Sequence, residues 1–341
     1  MPPKLPEVDE GVFDEVDSAL FEAQRIKGQL LKKEAQSIAN RSVYFGNKIK
    51  DSIEKYKEAA DFFMTGNDNQ QAIDCFEQAL ILMEKKPKEF RSREKGEVYL
   101  EISECLREIG VRTVKEMERL EEITQNACIL LAEDGKFYKS AGIEKDLAKF
   151  LEEEGPSVDN VGELEENYFY AKAIEHYKNA GEMFQTENSK TSMMECFLKC
   201  AEIYGLIADY SNAMKYFEKV ASVLASEKLT AFNAREPLLR SFLCKILENL
   251  AKAENDDLTG ALCQGYEDLR DCYDRYCEIC IHLDGSLEGN MILKLIESVK
   301  KKNPKEMASA LKKFDKMKTL DSWNTTLLLK IKEAISVLDL T

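Results

Sequence analysis

Residues 173–220 read AIEHYKNAGEMFQTENSKTSMMECFLKCAEIYGLIADYSNAMKYFEKV, and this stretch decides the fold. A small residue, an aromatic ring four positions on, and a second small residue three beyond it occur three times. The sets are Ala173, Tyr177, Ala180; Met193, Phe197, Cys200; and Ala213, Phe217, Val220. Met193 and Val220 are the looser matches, apolar rather than small. Positions i, i+4 and i+7 share one face of an α-helix, so each set describes a ring seated between short neighbours on the buried side. Successive sets lie 20 residues apart, room for one helix and a short turn. The pattern also occurs upstream as Ser52, Tyr56, Ala59 and Ala72, Phe76, Ala79, again 20 residues apart. Two such helices make a hairpin. Stacked hairpins of this kind are tetratricopeptide-like, although that repeat is usually about 34 residues rather than about 40.

Turn chemistry falls between the sets. Thr65-Gly66-Asn67-Asp68, Thr186-Glu187-Asn188-Ser189 and Asp209 separate them, as turn and N-cap residues should. Gly110, Gly135 and Gly155 are expected to end helices at the position after the C-cap, and Val158–Gly162 is expected to be a surface loop. The chain is therefore expected to be all-α, a tetratricopeptide-like helical-hairpin solenoid with a C-terminal helical bundle. About fourteen helices are expected, each antiparallel to its sequence neighbour. Residues 1–12 are expected to form a flexible N-terminus, 13–283 a curved repeat solenoid, and 284–341 the bundle and an acidic tail.

Composition agrees. The 341 residues include only 16 Gly and 7 Pro, about half the usual share of these breakers, and 44% hydrophobic residues are enough for a real core. Acids outnumber bases 63 to 48, a net charge of −15, and such a surface repels phosphates, which disfavours nucleic acid as a ligand. No segment approaches 18 uninterrupted apolar residues, so no membrane span is expected. The opening residues MPPKLPEVDE carry no apolar run and are not expected to be a secretory signal. The ten cysteines read as buried, reduced thiols of a cytoplasmic protein.

Convergent reactive groups are scarce. There are two histidines, His176 and His282, and neither a phosphate-binding glycine loop nor a nucleophile elbow. One cluster, Cys272, Cys277, Cys280 and His282, has zinc-like spacing. It lies in a helical run, Tyr273 to Leu283, without glycine turns to wrap a metal, and reads as packing cysteines. Cys196 and Cys200 read the same way. No catalytic residue, metal or cofactor is expected. By themselves these readings define a helical-repeat scaffold that binds proteins, a generic tetratricopeptide-like scaffold or co-chaperone with a helical or peptide client, which stands as the alternative to the more specific reading below.

One segment carries more than architecture. Residues 314–335 read FDKMKTLDSWNTTLLLKIKEAI, with the chain's only Trp at 323, and the chain closes Asp339-Leu340-Thr341. This resembles the C-terminal region of alpha-type soluble NSF attachment proteins, where a Leu-Asp-x-Trp-x-Thr-Thr-x-Leu-Leu-x-Ile-Lys run precedes an acidic tail with a penultimate leucine. The likeness extends more weakly along the repeats. The resemblance implies an adaptor: several copies wrap an assembled SNARE complex, and the C-terminal bundle recruits and stimulates NSF, a hexameric ATPase. Carried over by position, Glu297, Asp339 and Leu340 would meet the ATPase. Lys136, Lys199 and Arg235 would be basic contacts to the SNARE bundle. Val43, Tyr44 and Phe45, in the loop after the first helix, would make weak membrane contact, so the protein would be cytoplasmic and peripheral on membranes. The chain departs from the family at Gly142, Glu195 and Leu287, where basic SNARE contacts are usual, and at Lys300 and Lys301, where acids are.

Overall fold

A computed structural model describes residues 10–40, 47–159, 161–163, 165–255 and 258–339, with side chains at 18–40, 47–159, 161–162, 165–252 and 265–336. Among these residues there are fourteen α-helices and no strand, only an isolated bridge between Thr113 and Asp159. That is the all-α class expected from the repeats. The chain packs as two compact units, Met1–Glu166 and Asn167–Thr341.

The first unit holds α1 (Glu10–Asn40), α2 (Lys48–Thr65), α3 (Asn69–Glu84), α4 (Ser92–Ile109), α5 (Val114–Glu133) and α6 (Phe137–Glu154), each packed on the next. The second holds α7 (Tyr168–Thr186), α8 (Lys190–Leu206), α9 (Tyr210–Ala225), α10 (Arg235–Asn255) and α11 (Leu258–Ile279). It ends with α12 (Leu287–Lys300), α13 (Pro304–Met317) and α14 (Ser322–Asp339). Sequential packing continues through this unit, but α14 also returns to α8 and α10.

The small–aromatic–small sets form the core face. All fifteen of their side chains are buried, none more than 5% exposed. Ser52 shows why a hydroxyl is tolerated there: it donates to the Ala35 carbonyl at 2.9 Å and ties α2 to α1, so the buried polar group is satisfied. The helices without the aromatic pattern close differently. Ser103 on α4 and Thr124 on α5 share a buried hydroxyl–hydroxyl bond of 2.7 Å, and Ser140 on α6 donates to the Cys128 carbonyl at 3.0 Å.

Five turns share one geometry. The N–H of Asp68, Lys136, Ser189, Asp209 and Asn303 reaches back five residues to the carbonyl of Phe63, Leu131, Phe184, Tyr204 and Ser298, at 2.8–3.0 Å. The residue before each, Asn67, Gly135, Asn188, Ala208 or Lys302, is left-handed, which is the Schellman closure of a helix C-terminus. Asp68, Asp209 and Asn303 then cap the next helix, accepting from the N–H of Gln71, Asn212 and Glu306. One short segment thus ends a helix and starts its antiparallel neighbour.

Three local expectations are corrected. Gly155 is right-handed at φ −53° and runs into a 3-10 turn, so it is not a left-handed cap. The stretch read as a loop from Val158 to Gly162 follows one 3-10 turn and runs into another, Val161–Glu163, with Val158 itself buried. The helix expected to run to Leu283 ends at Ile279, and Cys280 closes it by bonding to the Tyr276 carbonyl at 2.9 Å.

Candidate functional site

The C-terminal motif packs through one side, with Trp323, Leu328 and Ile331 buried. Trp323 donates its indole N–H to the Glu202 carbonyl at 2.8 Å. Its ring meets Phe217, the aromatic of the last repeat set, edge-on at 5.3 Å. The ring also fills the space beside Gly205, where an added Cβ would fall 2.6 Å from Cζ2. Leu327, Leu328, Ile331 and Ile335 continue the buried stripe of α14. Thr325 and Thr326 bond back to the Asp321 and Ser322 carbonyls at the start of α14. Of the residues that make the motif recognisable, Trp323 and Asp321 fasten α14 to α8, α9 and α10 and Leu328 and Ile331 are buried, whereas Thr325, Thr326, Leu329 and Lys332 are exposed.

Around the indole runs a charged network. Arg240 on α10 lies 5.4 Å from the Trp323 ring centre and bonds Glu236, Glu202 and Asp321, bringing α8, α10 and the start of α14 together. Lys318, after α13, bridges Glu236 and Glu288. Glu288 is only 5% exposed; its second oxygen lies 3.9 Å from Arg235 Nε and makes no hydrogen bond. Asn324 donates to Glu236 at 3.3 Å, while its own buried oxygen has no partner. Burial opposes ionisation of Glu236, but Lys318 and Arg240 outweigh it and hold the carboxyl below its ordinary range. Burial likewise opposes the Lys318 charge, and its two carboxylate partners raise its pKa above the ordinary value. Only the Glu236–Arg240 pair, at i,i+4 spacing, was legible locally; the rest joins residues up to 88 apart.

The residues implied by resemblance are dispersed. Glu297 is exposed on α12 and paired with Lys294 at 2.9 Å, a bond that lowers its pKa. Lys301 pairs with Glu306 at 3.1 Å, and Lys300 sits 4.1 Å from the Tyr266 ring centre. Asp339 closes α14 as backbone; its side chain and Leu340 lie outside the described residues, as do Val43, Tyr44 and Phe45. In the first unit, exposed Lys136 opens α6 beside exposed Phe137 and Tyr138. In the second, Lys199 lies 3.8 Å from Glu202. Arg235 donates to the Phe232 carbonyl at 2.7 Å and approaches Glu288, so both cations are built into intramolecular contacts. Gly142 has no atom within 4 Å of where a Cβ would sit, so packing does not require glycine there. Glu195 is exposed on α8, and Leu287 lines a groove between α12 and α13 with Met291, Ala310, Phe314 and Met317.

The four zinc-spaced residues do not gather. Burial raises the pKa of both the Cys272 and Cys277 thiols, Cys280 donates to the Ala231 carbonyl at 3.5 Å, and His282 stacks on Phe232 at 4.0 Å. Among the described residues, no group of three or more His, Cys, Asp or Glu is placed to hold a metal ion.

Sequential helical hairpins, with a last helix locked back on the repeats, define a helical-hairpin repeat protein. The chain belongs to the soluble NSF attachment protein (SNAP) family, whose model matches residues 26–336. It is 24% identical over 314 residues to an alpha-soluble NSF attachment protein of Vitis vinifera, covering 92% of this chain and 96% of that one. It is 26% identical over 288 residues to the alpha-soluble NSF attachment protein of Saccharomyces cerevisiae, covering 84% and 87%. With the Homo sapiens alpha-soluble NSF attachment protein it shares 24% over 318 residues, covering 92% and 95%.

Proposed function

We propose that this chain is an adaptor that binds assembled SNARE complexes and recruits and stimulates an NSF-type ATPase, which disassembles them in vesicular membrane fusion. The observation that carries the reading is the family match from residue 26 to 336, which spans both compact units. An adaptor needs surfaces rather than chemistry of its own, and a stack of hairpins supplies extended ones. In this reading residues 13–283 hold the SNARE bundle, with Lys136, Lys199 and Arg235 as basic contacts. Residues 284–341 recruit the ATPase through Glu297, Asp339 and Leu340. Val43, Tyr44 and Phe45 touch the membrane, and the protein works at its cytoplasmic surface. The network around Trp323 supports this division, because a recruiting bundle can transmit force to its client only if it is fastened to the repeats.

A pull-down of the full chain with assembled SNAREs and an NSF-type ATPase tests it. A ternary complex is expected, with ATP hydrolysis reduced by Leu340→Ala. Failure to form that complex, or hydrolysis unchanged by the substitution, refutes the adaptor reading.

A further inference from the structure

Two turns of the second unit meet at one edge. The α9–α10 connection carries Leu229 and Phe232, and the α11–α12 connection carries Ile281 and His282. They are joined by the stacked Phe232 and His282 rings at 4.0 Å and by the Cys280 thiol on the Ala231 carbonyl at 3.5 Å. The apolar residues at their tips point into solvent: Leu229 is 95% exposed, Ile281 78% and Phe232 51%. The buried side of the same turns is supplied by Ala231, Ala234 and Leu283. Thr230, which bonds the Leu224 carbonyl at 2.9 Å, fixes the first turn, and Ser286, which caps α12, fixes the second.

We propose that these paired tips are a lipid-contacting site, in which Leu229 and Ile281 insert between headgroups while Phe232 and His282 lie at headgroup level. It involves none of the residues Val43, Tyr44 and Phe45. Shape favours lipid over protein. A stable protein interface needs about 800 Å² of complementary surface on each side, whereas two convex tips with three exposed apolar side chains offer much less. A bilayer is deformable and accepts single protruding side chains.

Local charge is close to balanced. Of the acids at this edge, Glu227 is engaged by Lys190, Asp284 by the Tyr273 hydroxyl at 3.1 Å and Glu288 by Lys318, while Glu278, three residues before Ile281, is exposed. The exposed cation Lys228 flanks Leu229, and Arg235 lies 5.5 Å from the Phe232 ring centre. The tips therefore present apolar groups beside one exposed cation, Lys228, and one exposed acid, Glu278, on a chain that carries −15 overall. Insertion, not charge, supplies the attraction, so contact should persist on uncharged phosphatidylcholine.

Flotation of the full chain with phosphatidylcholine vesicles, with and without phosphatidylserine, tests the site. Leu229→Ser/Ile281→Ser is expected to lower partitioning roughly tenfold on both, from the apolar area no longer buried. Its melting temperature should not change, since both side chains are exposed. Leu229→Trp/Ile281→Trp is expected to raise partitioning, because indole favours the interface. A Val43→Ser/Phe45→Ser variant reports the membrane contact proposed for those residues and should leave the tip-dependent loss in place. The proposal is overturned if the unsubstituted chain does not float, or if the double serine variant floats as well as it does. It is also overturned if that variant loses SNARE or ATPase binding in vesicle-free solution with partitioning unchanged, which would assign the tips to a protein.

Discussion

Helices α7–α9 and helices α12–α14 belong to the same compact unit but are held by different physics. In α7–α9 each aromatic sits between small or apolar residues of its own helix, and most contacts are between sequence neighbours. That packing is apolar, local and repeated. Helices α13 and α14 also bury an apolar stripe, but they add one indole and charged groups from distant positions: Glu202, Glu236, Arg240, Glu288, Lys318 and Asp321. The repeats are a stack that can be lengthened or shortened. The C-terminal attachment is a single fitted joint, and its partly buried charges make it sensitive to loss of any one partner.

Removing the indole should break this contrast most. Trp323→Ala is expected to cost about 3–5 kcal/mol in urea unfolding, as large aromatic deletions do, and to loosen α13 and α14 before the repeats. Hydrogen exchange should therefore show α14 amides opening while those of α7 stay protected. If α7 and α14 open together, the joint is not separate from the stack. Gly205→Val should reproduce the local loosening by displacing the ring rather than deleting it.

The charged half of the joint comes next. Lys318→Met strands two carboxylates, one of them on the buried Glu288, and is expected to cost about 2 kcal/mol, discounted because the lysine is half exposed. Adding Glu236→Gln and Glu288→Gln should recover part of that loss. Additive losses in the triple variant would mean that the three groups do not act as one network.

Acid should act through the same groups. Glu236 is held below its ordinary value of 4.5, so its stabilising contribution is present above that value and fades as pH falls through the depressed one. Unfolding of the wild-type chain between about pH 5 and pH 3 should therefore lose more stability than that of Glu236→Gln. Parallel pH profiles for the two would contradict the assignment.

The smallest effects lie in the shared turns. Ala208 is left-handed at φ 64° and exposed, a conformation in which a Cβ costs about 1 kcal/mol. Ala208→Gly should raise stability by about 0.5–1 kcal/mol, and Gly135→Ala, at φ 75°, should lower it by a similar amount. Thermal melts of the pair would show whether the turns in the two units are energetically equivalent.

Much of the stack was legible because its information is local. A ring and two small residues at i, i+4 and i+7 specify a face, and Asn or Gly before an Asp or Ser specifies a turn, so the fifteen pattern residues all proved buried. Gly155 misled because glycine permits a left-handed cap without demanding one; there the chain continued into a 3-10 turn. The Trp323 segment was recognisable as a motif, but its inward direction was not readable, since nothing near position 323 announces Gly205, Phe217 or Arg240 as its neighbours. Among the site residues, Lys136 stands exposed; the Lys199–Glu202 pair follows from i,i+3 spacing on one helix, whereas the approach of Arg235 to Glu288 has no local sequence signal.

The sequence by itself determined the helices, their hairpin order and the core face of each repeat, because helix periodicity and turn chemistry act over a few residues. Only the tertiary structure decided where α14 docks, which charges Arg240 and Lys318 neutralise, and that Leu229 and Ile281 meet at one exposed edge. Those outcomes depend on side chains far apart in the chain that are brought together by burial, and burial is a property of the packed whole rather than of any segment.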